Sequence, residues 1–194
     1  MDVVRLFGAA AALAAVCIGG GASASTFIKT DVPELTLSSE VIVRGVVKRV
    51  QSRWAGDGSM IVTDVEVVVS ESLKGQPDRT VVITQPGGSV GDIGQKVSGL
   101  ASFAEGEEVL VFLGPKRKGH FQVRGALQGK YRIERSSPSG PARAVPESDH
   151  GARLLSRTTG ETVEADTQSL AWEDLRARVR RALRTAPRSG KPKP

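Results

Sequence analysis

The run Val41-Ile42-Val43-Arg44-Gly45-Val46-Val47-Lys48-Arg49-Val50 is dense in β-branched residues and poor in helix formers, and it commits the chain to β-structure from its first third. Gly45 in its middle predicts a bulge or sharp bend of the kind that small barrels use. Trp54 closes the run, and Ala55-Gly56-Asp57-Gly58 turns the chain back into residues 59–71. There Ile61, Thr63, Val65, Val67 and Val69 share one face, the expected core side, while Val62, Asp64, Glu66 and Val68 share a half-wet one.

The same alternation of strand and turn continues downstream. Residues 32–40 read as a turn or a single helical turn, with Pro33 near its start. Ser72-Leu73-Lys74-Gly75-Gln76-Pro77 is a turn, and Thr80-Val81-Val82-Ile83-Thr84 is a third strand. Val109-Leu110-Val111-Phe112-Leu113 is continuously apolar, the pattern of a strand buried on both faces. Lys116, Arg117 and Lys118 occupy a hairpin tip, followed by short strands over 121–124 and 130–134. Five or six short strands with no helical run between them predict a mainly β fold, a small OB-like barrel over residues 25–135.

Beyond the barrel the composition changes. Ser, Pro, Gly and Ala dominate residues 136–151, which read as a linker or long loop, and residues 152–166 suit a hairpin turning at Thr158-Thr159-Gly160. Residues 167–186 carry Trp172, Leu175, Val179, Ala182 and Leu183 at helical spacing, with Ser169 as the expected N-cap and Glu173 and Asp174 in the first turn. Pro187 ends this amphipathic helix, and 187–194 form a solvated, disordered basic tail.

The first residues address the compartment. Arg5, an apolar stretch over 6–18, and Ala22-Ser23-Ala24 have the form of a signal peptide over residues 1–24 cleaved after Ala24, so the chain is expected in the periplasm or the medium. The apolar stretch is shorter than the roughly 20 residues that a bilayer span needs. Cys17 is poorly placed for lipidation, because Val16 is not the small residue that a lipobox requires. It is also the single cysteine, so residues 25–194 must rely on a hydrophobic core rather than disulfides, and no thiolate serves there as nucleophile or ligand.

Charge is unevenly placed. Residues 25–171 balance, whereas 172–194 hold eight Lys or Arg against two Asp or Glu, which accounts for the whole formal net charge of +6. A neutral body with a basic end argues against sequence-specific nucleic-acid binding. It leaves polyanion or anionic-membrane binding through Arg176, Arg180, Arg181, Arg184, Arg188, Lys191 and Lys193 as an alternative function.

Recognisable chemistry is sparse. Residues 85–99 hold five glycines, including G-x-x-G-x-x-G from Gly88 through Gly91 to Gly94, but no Gly-Lys-Ser/Thr and no following helix to cradle a phosphate. His120 and His150 are the two histidines and stand in no metal or triad spacing. Asp64 or Glu66 could pair with Glu107 or Glu108 by folding, and a hydrolytic enzyme stays a second alternative. The expectation is a chain without enzymatic activity, cofactor or metal.

Ser39-Glu40-Val41-Ile42-Val43-Arg44-Gly45-Val46-Val47, Val62-Thr63-Asp64-Val65, Ser72-Leu73-Lys74-Gly75, Pro86-Gly87-Gly88, Val97-Ser98-Gly99 and Phe103-Ala104-Glu105-Gly106-Glu107-Glu108-Val109-Leu110-Val111-Phe112-Leu113 together resemble an uncharacterised group of exported bacterial proteins. Their order is also similar to the netrin-like OB fold of the tissue inhibitors of metalloproteinases. The resemblance implies an exported, protease-associated interaction module of the envelope or medium whose partner is another exported protein. Those inhibitors chelate zinc through an N-terminal cysteine, and residues 25–194 have none. OB folds bind through one barrel face and its loops, which nominates Gly87, Gly88, Ser89, Val90, Asp92, Ile93, Lys96, Lys116, Arg117 and Lys118 as partner contacts.

Overall fold

The computed structural model describes residues 25–137, 139–148 and 152–186. The expected signal peptide with its cut after Ala24, His150, and Arg188, Lys191 and Lys193 of the tail lie outside the described residues. In chain order the elements are β1 (Ser25–Ile28), α1 (Val32–Ser38), β2 (Val41–Trp54), β3 (Ile61–Lys74), β4 (Thr80–Pro86), β5 (Gly88–Val90), β6 (Ile93–Gln95) and β7 (Glu108–Leu113). A 3-10 turn (Ala126–Gly129) leads to β8 (Lys130–Arg135), β9 (Ala142–Pro146), β10 (Ala152–Leu155), β11 (Thr162–Val163), β12 (Leu170–Ala171) and α2 (Trp172–Thr185).

The fold is mainly β with a C-terminal helix, and its largest sheet has seven strands in the order β12-β9-β8-β7-β2-β3-β4. The seven strands do not close into the expected five- or six-stranded barrel: the sheet is open, with β12 and β4 at its ends. Residues 121–124, expected as a strand, contribute only single bridges: Phe121 lies parallel to Ile83 of β4, and Val123 lies antiparallel to Leu113 of β7.

The sheet curls because β2 is irregular. Its pairing with β3 shifts register between Ile42 and Val43, between Arg44 and Gly45, and between Val47 and Arg49, and each such bulge adds local bend and twist. Gly45 permits one of them by closeness of approach, since a Cβ there would stand 2.3 Å from the Val68 carbonyl oxygen. The concave side encloses Val43, Val47, Val65, Val67, Ile83, Val111, Leu113 and Phe121. The other side packs Ile42, Leu110, Phe112, Ile133 and Ala144 against Leu35 of α1 and Trp172, Leu175 and Val179 of α2. β7 therefore supplies both cores, and its five residues from Val109 to Leu113 are each 0 % exposed.

The short elements are fixed by specific polar contacts. Asp31 accepts from the Glu34 amide at 2.8 Å and caps α1, with Pro33 in the first turn. Lys74 closes the other end by donating to the carbonyls of Thr36 at 2.7 Å and Leu37 at 3.1 Å. α2 begins later than expected. Its N-cap is Ala171, without a side-chain cap, because Ser169 instead accepts from Arg143 and residues 170–171 are drawn into β12.

The stretch read as a linker holds β9, which pairs antiparallel with β8 over five residue pairs from Tyr131↔Pro146 to Arg135↔Ala142. β10 pairs antiparallel with β11 and parallel with β1. β1 is pinned by Phe27, whose ring lies where a Cβ on Gly99 would come within 2.1 Å.

Candidate functional site

Residues 85–99 form neither a phosphate cradle nor a plain loop. They make a hairpin, β5 pairing with β6 from Gly88↔Gln95 to Val90↔Ile93, and the chain beyond Gly99 is irregular rather than helical. The hairpin is laid over the far end of β2 and β3. The Gly87 amide donates to the Ile61 carbonyl at 2.8 Å, Thr63 Oγ1 donates to the Gly87 carbonyl at 2.7 Å, the Ser89 amide donates to Ser52 Oγ at 3.3 Å, and the Ile61 amide donates to Gln95 Oε1 at 2.9 Å. Gly88 has φ +127°, and a Cβ on it would stand 2.2 Å from Ser52 Oγ, so position and conformation both require glycine.

Between this hairpin and the sheet lies an open cavity of about 740 Å³. Val50, Ser52, Thr63 and Val65 form its floor, Gly88, Gln95 and Lys96 one wall, and Ser102, Phe103 and Glu147 the other. Trp54 is directly opposite Ile61 in the ladder, which puts it on the same face of β2 as Val50 and Ser52. It is 42 % exposed and, with Ile93 at 56 %, gives this end of the molecule an apolar rim.

The far wall is held by a buried ammonium. Lys130 is 1 % exposed, donates to Glu107 Oε1 at 2.8 Å, to Glu147 Oε2 at 2.9 Å and to the Ser102 carbonyl, and lies 4.9 Å from the centre of the Phe103 ring. The two carboxylates neutralise it and share out its three protons with the carbonyl, the arrangement that makes a buried cation tolerable. Sequence reasoning missed Lys130 and Glu147 as parts of this site. Lys130 opens β8 and Glu147 follows β9, on either side of a turn-rich stretch, and no local pattern joins them to Ser102 or Glu107.

The nominated contacts do not form one surface. Gly87, Gly88, Ser89, Val90, Asp92, Ile93 and Lys96 belong to the hairpin, beyond Pro86 at the end of β4. Lys116 is anchored to Asp78, just before the start of β4, at 2.9 Å, and a seven-residue strand spans about 20 Å. Arg117 and Lys118 are exposed in the turn closed by the Arg117 to His120 backbone pair.

Each carboxylate weighed for paired chemistry is tied to a cation instead. Asp64 is bonded to Arg53 at 2.7 Å, Glu66 to Arg49, Glu107 to Lys130, and Glu108 to Arg44 and Arg135. Burial pushes the Asp64 and Glu108 carboxyls up, but the arginines beside them, and Thr84 beside Asp64, outweigh it and hold both below the usual carboxylate range. His120 Nδ1 is 2.9 Å from Thr84 Oγ1, which donates to Asp64 Oδ1 at 2.5 Å. With its proton on Asp64, the Thr84 oxygen accepts from the imidazole, so this trio clamps the 116–120 turn to β4. No group of three or more His, Cys, Asp or Glu suited to a metal occurs among the described residues.

On α2, Arg176 bonds Glu71 at 2.7 Å and Arg180 approaches it at 3.6 Å, while Arg44 stacks 4.6 Å from the Trp172 ring. Arg181 and Arg184 are exposed and make no ion pair among the described residues; Arg178 is the same. No helix among the described residues is long and apolar enough to cross a membrane. No protein-family model matches the chain, and no curated protein is significantly similar to it.

Proposed function

We propose that the chain is an exported, non-enzymatic OB-like module that binds another exported protein through the groove beneath the β5–β6 hairpin, protease association being the partner class that its sequence resemblance implies. The observation carrying this reading is the groove itself: a cavity of about 740 Å³ floored by Val50, Ser52, Thr63 and Val65, with a glycine hairpin bonded down beside it and Trp54 and Ile93 exposed on the same strand and hairpin. Large apolar side chains beside a formed cavity are the usual anchors of a protein interface.

The OB-like part draws support from connectivity. Pairing runs β2–β3–β4, then through Phe121 and Val123 to β7 and back to β2, with one parallel step at Ile83 and Phe121. Export draws its support from the leader-like first residues.

The test is capture of exported proteins from the source cells on immobilised mature protein, wild type against the double variant Trp54→Ala, Ile93→Ala. A discrete partner held by wild type and weakened roughly tenfold or more by the variant is expected; capture that ignores both substitutions removes the groove from the interface. A second reading, polyanion binding, is favoured by one observation, the exposed Arg178, Arg181 and Arg184 that form no ion pair among the described residues.

A further inference from the structure

β2 is longer than the strand that pairs its outer edge. β3 accompanies it as far as Trp54, whereas β7 pairs it only from Val41 to Val46. Past that point Val47 exchanges hydrogen bonds with Glu107 and Gly106, at 2.9 and 2.8 Å, and the Val50 amide donates to Glu105 Oε1 at 3.0 Å. On the inner side the Ala55 amide donates to the Met60 carbonyl at 2.8 Å, which sets the phase of the ladder: residues 53 and 55 face β3, and residues 50, 52 and 54 face outward. The Ser52 amide and carbonyl and the Trp54 amide thus point off the sheet, and no backbone group among the described residues meets them.

Such a row accepts another extended backbone. Its placement here is specific, because the side chains of Val50 and Ser52 line the cavity. A strand added along this edge would send every second side chain into the cavity and the rest outward past Lys48, Arg49 and Arg53. Those three cations lie along a short stretch of edge, and Lys96 lines the cavity itself. Arg49 and Arg53 are paired with Glu66 and Asp64 across the ladder, and the Glu105 carboxylate stands at the Val50 amide, so Lys48 and Lys96 are the cations here without a carboxylate partner among the described residues. Two copies joined edge to edge would crowd two such sets of cations into one short ribbon, whereas a segment bearing carboxylates would be attracted.

We propose that the outer edge of β2 at Ser52 and Trp54, beyond the Val50 amide that Glu105 occupies, takes an extended acidic segment of the partner protein by strand addition. This rests on the reading that the groove binds a protein.

The test uses linear peptides displayed on phage and selected on the full mature chain, with the best binder then synthesised and N-methylated at one amide at a time. Strand addition predicts binders rich in Asp or Glu and losses of tenfold or more at alternate amides only. Ser52→Pro, which removes an outward amide, should weaken binding tenfold or more beyond whatever Ser52→Ala costs, the alanine variant losing the hydroxyl but keeping the amide. If Ser52→Pro fails to fold, the N-methyl scan decides alone. No selectable binder, losses without a period of two, or binders without acidic enrichment would each overturn the proposal, as would a self-association abolished by Ser52→Pro. Partner capture lost in the Trp54→Ala, Ile93→Ala variant but kept in Ser52→Pro would overturn strand addition alone; capture kept in both would overturn the parent reading.

Discussion

Lys130 is the least exposed charged side chain described, and it links three segments that are distant in sequence: Ser102 before β7, Glu107 at its start, and Glu147 after β9. Its worth lies less in attraction than in the cost of leaving its partners alone, because a buried carboxylate stripped of its cation keeps the desolvation penalty and loses the compensation. Lys130→Met should therefore cost roughly 3 kcal/mol in urea unfolding, and the triple variant Lys130→Met, Glu107→Gln, Glu147→Gln should regain much of that loss. A single-variant cost under about 1 kcal/mol would mean that water reaches the pair and that the cavity wall is softer than its contacts imply.

Among the elements, α2 decides between two experiments. Trp172, Leu175 and Val179 cover Ile42, Leu110 and Phe112, so removing the chain after Ala171 would uncover a core and unfold the molecule along with its charge. The cleaner variant is Arg178→Gln, Arg181→Gln, Arg184→Gln, which leaves the buried face and the Glu71 pairs intact. On a heparin column it should elute at clearly lower salt than wild type with an unchanged melting temperature; identical elution would remove the polyanion reading.

The elements also differ in how legible they are in the sequence. β-branched runs located β2 and β4, period-two alternation located β3, an unbroken apolar run located β7, and helical spacing located α2, because burial on one face or two leaves that trace. β9 left no such trace, being a short strand set between Ser, Pro and Gly, and its strand character comes from the open edge of β8. The hairpin β5–β6 was hidden by its glycines, which propensity counts against a strand, although at Gly88 close contact with Ser52 and Thr63 demands one. Of the groove, residues 87–96 were nominated from the sequence as a loop, without their pairing, and the Lys130 side was not nominated at all.

For the whole molecule, acid is the informative stress. Asp64 and Glu108 are both held below the ordinary carboxylate range, at two separate places on the same sheet. A carboxyl with a depressed pKa in the fold binds fewer protons there than in the unfolded chain. It contributes its full stability above the ordinary value near about 4 and loses it as pH falls through the folded value. Denaturant midpoints should be level near neutrality and decline once pH drops below about 4. The double variant Asp64→Asn, Glu108→Gln should start lower and decline less steeply; an equal slope would assign acid sensitivity to other groups.

β1 gives the molecule a direction in time. Ser25 aligns with Ala152 and Ile28 with Leu155, so the first described strand meets its partner across most of the chain. Closing so long a loop is slow, and no strand nearer in sequence pairs with β1 among the described residues. A chain synthesised from its N-terminus can assemble the β2–β3–β4 meander early, yet must leave its leading end unpaired until nearly all of it has emerged. Docking of β1 is thus a late step, and a chain cut before β10 would leave β1 without its strand partner.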